Sequence, residues 1–260
     1  MFKKTLYEMR FRLTVFIVLF FVLLLGLIFT RPVIGNLMVS MDMNSEEVKE
    51  LPDILKGFAD GKEFEQLKDD DQFFLLSQWY GKNFGQFLPF FALIIAFPVF
   101  SRETEKKTIY FLLSRRNRKE IYDSKVLSGY YVMILIVVVF DFLAPVAMML
   151  SGYDILFNGN LIRLIVQQLI AASFFYFLFI LFSIIFNDQM KPVILGIVLI
   201  VALPFSSLIN GIAWLNLYPY VFGETVLSSG DFDWMRSLVL TGLSIFLYLG
   251  GRRLFLKKEF

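Results

Sequence analysis

The chain has 260 residues, of which 57% are hydrophobic and 32 are Phe, with a mean hydropathy of +0.67; one soluble core cannot hide that much apolar surface, so this is an integral membrane protein. The absence of Cys and His excludes disulfides, thiol catalysis, His-based zinc sites and Ser-His-Asp hydrolysis within the chain. A net charge of +2 hides a segregation of sign along the sequence.

Phe2, Leu6, Met9 and Leu13 recur at helical spacing among Lys3, Lys4, Arg10 and Arg12, which predicts an interfacial amphipathic helix over residues 1–12. A first span follows at about Leu13 to Phe29; it is long and no small-x-small cleavage site follows it, so it is expected to be retained rather than removed as a signal. Thr30-Arg31-Pro32 is expected to break the helix. Residues 30–83 then form an acidic extracellular insert, where Ser45 is a candidate N-cap and Val48, Leu51, Ile54, Leu55 and Phe58 supply a helical apolar stripe. Gly57 to Lys62 lacks the spacing of a phosphate loop and reads as a helix end.

A second span is expected at about Phe84 to Phe100, kinked by Pro89 and Pro98. Further spans are expected at about 126–150, 161–186, 192–213 and 234–250, with residues 187–191 as a tight turn. The predicted fold is all-α: six transmembrane helices, the amino-terminal interfacial helix and the small helical insert between spans one and two. With both termini cytoplasmic, 17 of the 25 basic residues fall on inner segments, the bias of the positive-inside rule. Between the last two spans, Trp214, Tyr218, Pro219, Tyr220 and Glu224 suit the outer interface, either as an aromatic loop or as a re-entrant hairpin.

Ser101 to Leu127 is a charged island that carries eight of the basic residues. Its apolar centre, Ile109, Phe111, Leu112 and Leu113, is flanked by charge, as in a surface helix that offers an apolar patch to a partner or to the bilayer interface. Glu103 or Glu105, Thr108, Leu112-Leu113-Ser114, Arg118, Ile121 and Lys125 follow one another in an order that resembles the cytoplasmic loop of ABC type-2 permeases. Lys107 stands where that pattern has Gly, and Arg116 where it has Pro. With the span layout, the resemblance covers essentially the whole chain.

The resemblance implies that residues 101–126 form a coupling loop seated in a cleft of a separate ABC ATPase subunit, with Glu103, Glu105, Thr108, Leu112, Leu113, Arg115, Arg116 and Arg118 docking it. It implies a second permease copy or paralogue, and export rather than import, from a bacterial inner membrane. No Walker motif is present, so ATP and magnesium belong to the partner; no cofactor, metal or catalytic residue is expected in this chain, and no nucleic-acid partner. A second reading of the basic cluster is a topology signal that touches anionic lipid.

Asp141 is the one acid deep in a span; ionised and unpaired at mid-bilayer it would cost about 2.5–3.5 kcal/mol, so it should face protein or water. It is either a substrate or proton contact, or a structural acid bonded to Ser, Gln or Tyr groups of a neighbouring span, the latter preferred. Phe87 and Phe91, with Asp141, are candidates for a translocation path that carries an amphipathic peptide, antibiotic or lipid-like cargo. An ATPase-independent carrier and an intramembrane enzyme stand as alternatives; the carrier lacks a visible repeat, and the enzyme lacks a second intramembrane acid.

Overall fold

The computed structural model describes residues 2–40, 70–209 and 211–259; most of the expected insert, residues 41–69, lies outside the described residues. All secondary structure among the described residues is helical. Among the described residues six helices are long and apolar enough to cross a membrane: Met9–Val33, Asp71–Glu105, Arg118–Leu150, Gly159–Ile185, Met190–Leu208 and Trp234–Lys257, here spans 1 to 6.

Several spans begin well outside their apolar windows because polar residues cap them. Asp70 accepts from the Phe73 N–H at 3.0 Å, so span 2 starts at Asp71 rather than Phe84. Asn117, in extended conformation, accepts from the Lys119 N–H at 3.2 Å, and span 3 therefore runs from Arg118 through the second half of the charged island. Asn158 and Asp233 cap spans 4 and 6 in the same way, each at 3.0 Å. Residues 2–12 are the first turns of one unbroken helix, Phe2–Ser40, that also contains span 1.

The expected break at Thr30-Arg31-Pro32 does not occur; Pro32 lies inside that helix. Proline cannot donate to the carbonyl four residues earlier, and an orphaned carbonyl in a dry interior is costly. Here the Ile28 carbonyl accepts from the Tyr153 hydroxyl at 3.4 Å. The same repair recurs in three other spans. The carbonyl that Pro98 leaves free, Ile94, accepts from Arg12 Nη1 at 3.0 Å. Pro145 frees Asp141, whose backbone carbonyl accepts from Tyr80 Oη at 2.5 Å. Pro204 frees Ile200, which accepts from Tyr218 Oη at 3.4 Å.

Of the two prolines expected to kink span 2, Pro89 sits within the regular helix Phe84–Ala96, whereas Pro98 falls in the turn that separates it from Ser101–Glu105. The visible irregularity comes earlier, as a π-helical stretch over Leu76–Asn83. Gly85 permits it: a Cβ there would lie 2.0 Å from the Tyr80 carbonyl oxygen, which also accepts from Gln168 Nε2 at 2.9 Å.

Span 4 is the hub, packed against spans 2, 3, 5 and 6. Spans 1, 2 and 3 meet in an aromatic cluster in which Phe20 sits edge-on to Phe84, Phe91 and Phe140 at 4.8–5.4 Å, with Trp79 stacked on Phe84. One end of the bundle carries the charged loop and the close of span 6. The far end is tied by Asp71, which pairs with the buried Arg31 at 2.7 Å and accepts from the Asp154 N–H at 3.1 Å. Between spans 5 and 6 the described residues form three short helices, Ala213–Leu215, Tyr218–Val221 and Glu224–Ser229, rather than an open loop. Tyr220 is buried there on Ser237 of span 6 at 2.8 Å, and burial pushes its hydroxyl pKa up to about 12. The left-handed Gly223, φ 68°, makes the turn, and a Cβ on it would lie 1.8 Å from Leu164.

Candidate functional site

At the loop end, span 2 stops at Glu105, and Lys107 turns the chain in the left-handed region, φ 56°. The position where the permease pattern has Gly is thus one whose backbone favours Gly. A two-turn helix follows over Ile109–Arg115. Arg116 is extended, φ −146°, and its N–H donates to the Leu112 carbonyl at 3.2 Å; proline could adopt neither that φ nor that bond.

The helix rests on Ile109, which is fully buried, and on Leu112 and Leu113, which are half-buried. That phase leaves Tyr110, Phe111, Ser114 and Arg115 facing outward, with Tyr110 and Phe111 each more than half exposed. The Arg115 guanidinium lies 4.0 Å over the Phe111 ring, so the open face presents two aromatic rings and a fixed cation, with Arg116 beside them.

The remaining expected docking residues have internal partners. Glu103 is buried; its Oε1 receives Lys125 Nζ of span 3 at 2.7 Å, and its Oε2 receives the Thr108 hydroxyl. This latch closes the loop onto spans 2 and 3. Glu105 accepts from the Gln189 backbone N–H at 3.2 Å and its side-chain amide at 2.7 Å, which joins the loop to the turn between spans 4 and 5. Next to it, the Lys191 N–H at 2.8 Å holds the Asp188 carboxyl below the usual carboxylate range. Arg118 Nη1 donates to the carbonyls of Leu256 and Lys258, at 3.2 and 2.7 Å, and caps span 6. Lys258 in turn donates to the Ile184 carbonyl at 2.6 Å, and burial lowers its pKa. Asp123 completes the clamp between spans 3 and 6 through Arg252 at 2.7 Å and Tyr248 at 2.8 Å.

The proposed path residues lie elsewhere. Phe91 is fully buried between Phe16 and Phe20, at 5.0 and 5.4 Å, and Phe87 is half-buried beside Phe90. Asp141 is fully buried; its backbone carbonyl is bonded to Tyr80, but its carboxylate oxygens have no hydrogen-bond partner among the described residues. A cleft of about 1050 Å³ opens at the far end between spans 2 and 5 and is lined by Gln78, Lys82, Gln86, Phe90, Asn216 and Glu224. Sequence reasoning missed Tyr110, Gln189 and this polar lining. The recurrence of Gln78, Lys82, Gln86 and Phe90 every four residues was the available signal for a helical stripe.

No curated protein and no solved structure matches the chain. The family described as ABC-2 family transporter protein matches residues 2–250, nearly the whole length. With its six apolar helices, the chain therefore belongs to the ABC-2 transporter family and is a multi-pass membrane permease of an ABC transporter.

Proposed function

We propose that this chain is the transmembrane half of an ATP-driven exporter of the bacterial inner membrane, with both termini cytoplasmic and a second copy or a paralogue beside it. The Ile109–Arg115 helix docks in a separate ATPase subunit that supplies ATP and magnesium chemistry. The observation that carries this reading is the division of the loop into two faces. Tyr110, Phe111, Arg115 and Arg116 are open to a partner, while Glu103, Thr108 and Lys125 latch the other face to spans 2 and 3 and Arg118 holds span 6. Force on the open face therefore reaches three spans through short polar contacts.

Cargo of amphipathic or hydrophobic character, such as a peptide, an antibiotic or a lipid-like molecule, leaves through the cleft between spans 2 and 5. That cleft joins an apolar wall at Phe90 to polar groups at Lys82, Gln86 and Glu224. Of the expected path residues, Phe87 packs beside Phe90 of the cleft wall, whereas Phe91 and Asp141 are buried and do not line the cleft.

The test is recovery of an ATPase with the tagged chain from native membranes in mild detergent. Wild type is compared with a Phe111→Glu, Arg115→Glu variant, both changes lying on the open face. The ATPase is expected with wild type and lost from the variant, while both chains reach the membrane. Recovery with neither would overturn the motor-driven reading and return the carrier to the front.

A further inference from the structure

Spans 4 and 6 leave a surface groove that involves neither the loop nor the cleft at span 2. Its two hollows, about 540 Å³ nearer the far end and about 410 Å³ deeper, share Val166, Ile170 and Thr241 and so form one continuous channel. Each volume falls in the range of about 300–1,000 Å³ typical of ligand pockets. The walls are apolar, with Ile170, Phe177 and Ile245 prominent in the deep part. Thr241 and Ser244 line it too, but their hydroxyls donate to the Ser237 and Leu240 carbonyls of their own helix, both at 2.7 Å, so they impose no polar demand on an occupant.

The mouth is different. Arg163, in the first turns of span 4, and Asp231, just ahead of span 6, both line the outer hollow, and both are exposed. Arg163 Nη1 is tethered to Asn160 Oδ1, at 3.1 Å, and to the Gly230 carbonyl, which fixes the guanidinium beside the groove. It forms no ion pair with Asp231 or with any other carboxylate among the described residues, and the Asp231 carboxylate accepts no hydrogen bond among them. Trp234, largely exposed and packed on Phe232 at 4.7 Å, stands at the same level, the position of an interfacial aromatic anchor.

A tethered cation and an exposed anion that flank one groove without neutralising each other match a molecule with both charges at one end and hydrocarbon behind. We propose that this groove binds one zwitterionic phospholipid with a primary ammonium. Its phosphate sits on Arg163, its ammonium on Asp231, and one acyl chain runs past Ile170 toward Phe177 and Ile245. Guanidinium and phosphate form a charge-assisted pair. An anionic headgroup that lacks the amine gains that contact and meets Asp231 as a like charge, so the site discriminates between the two headgroup classes.

The experiment is native mass spectrometry of the delipidated full chain after exposure to an equimolar mixture of dioleoyl phosphatidylethanolamine and dioleoyl phosphatidylglycerol. Wild type is expected to retain one lipid and to prefer the ethanolamine headgroup about tenfold, equivalent to about 1.4 kcal/mol. Asp231→Asn should bring the two lipids close to parity. Arg163→Gln should reduce retention of both, and Arg163→Lys should restore much of it, which separates loss of charge from disturbance of the Gly230 turn. Equal retention of the two lipids by wild type, or an unchanged preference in Asp231→Asn, would overturn the proposal. So would efficient disulfide crosslinking of Ile245→Cys chains in native membranes, which would show that a second copy covers the groove.

Discussion

A proline in a membrane helix orphans one carbonyl, and in this chain four such carbonyls are taken up by side chains from other elements. The Tyr80 to Asp141 bond is the most telling, since both residues are fully buried. Tyr80→Phe leaves the Asp141 carbonyl unsatisfied and is expected to cost about 1–3 kcal/mol. Pro145→Ala restores an N–H able to bond that carbonyl within the helix, so Tyr80→Phe should cost much less in a Pro145→Ala background. Equal losses in the two backgrounds, measured by thermal unfolding in detergent, would break the link. The Glu103–Lys125 pair is argued at the same scale. Both side chains are at most a tenth exposed, so Lys125→Met takes a cationic partner from a buried carboxylate and should cost about 3–5 kcal/mol. Adding Glu103→Gln should recover a large part of that loss, because the stranded charge goes with it.

Among elements, the loop helix shows how far the sequence reaches. Its place and its two faces follow from Ile109, Leu112 and Leu113 at helical spacing between charges, because a helix at a bilayer end buries what is apolar and solvates what is not. The six spans are legible for the same reason. The role of Arg118 is not, since the carbonyls it caps lie about 140 residues away in the chain and carry no sequence signal. Helix ends are equally hard to read: Pro32 looks locally like a break, and the carbonyl it frees is taken up by Tyr153, from the connection between spans 3 and 4. The buried Asp141 invited a side-chain bond to Tyr or Gln, and the structure satisfies its backbone instead. Lys107 is the loop position where the local rule and the residue disagree. A left-handed backbone costs a non-glycine residue about 1–2 kcal/mol, so Lys107→Gly should stiffen the turn and slow proteolysis after Lys106. Faster cleavage in the variant would show that the lysine side chain, rather than the backbone, governs this turn.

At the scale of the whole molecule, the proposed function depends on sidedness. Basic residues crowd the loop end, at Arg115, Arg116, Lys119, Arg252, Arg253 and Lys257, while the far end mixes Arg163 and Arg236 with Asp154, Asp231 and Asp233. The positive-inside rule then predicts that the loop end is cytoplasmic, as the proposed function requires. The chain has no cysteine, so single thiols can be introduced without first removing others. Ser114→Cys lies on the open face of the loop helix, and Gly152→Cys follows span 3 at the far end, where nothing crowds the position. Because Gly152 has φ 90°, Ser229→Cys, at the end of the last short helix before span 6, serves as a second far-end site free of that strain. In intact cells an impermeant maleimide should label Gly152→Cys and Ser229→Cys but not Ser114→Cys, and permeabilisation should expose all three. The opposite pattern would place the loop outside the cell, away from ATP, and the coupling role of Phe111 and Arg115 would fall with it.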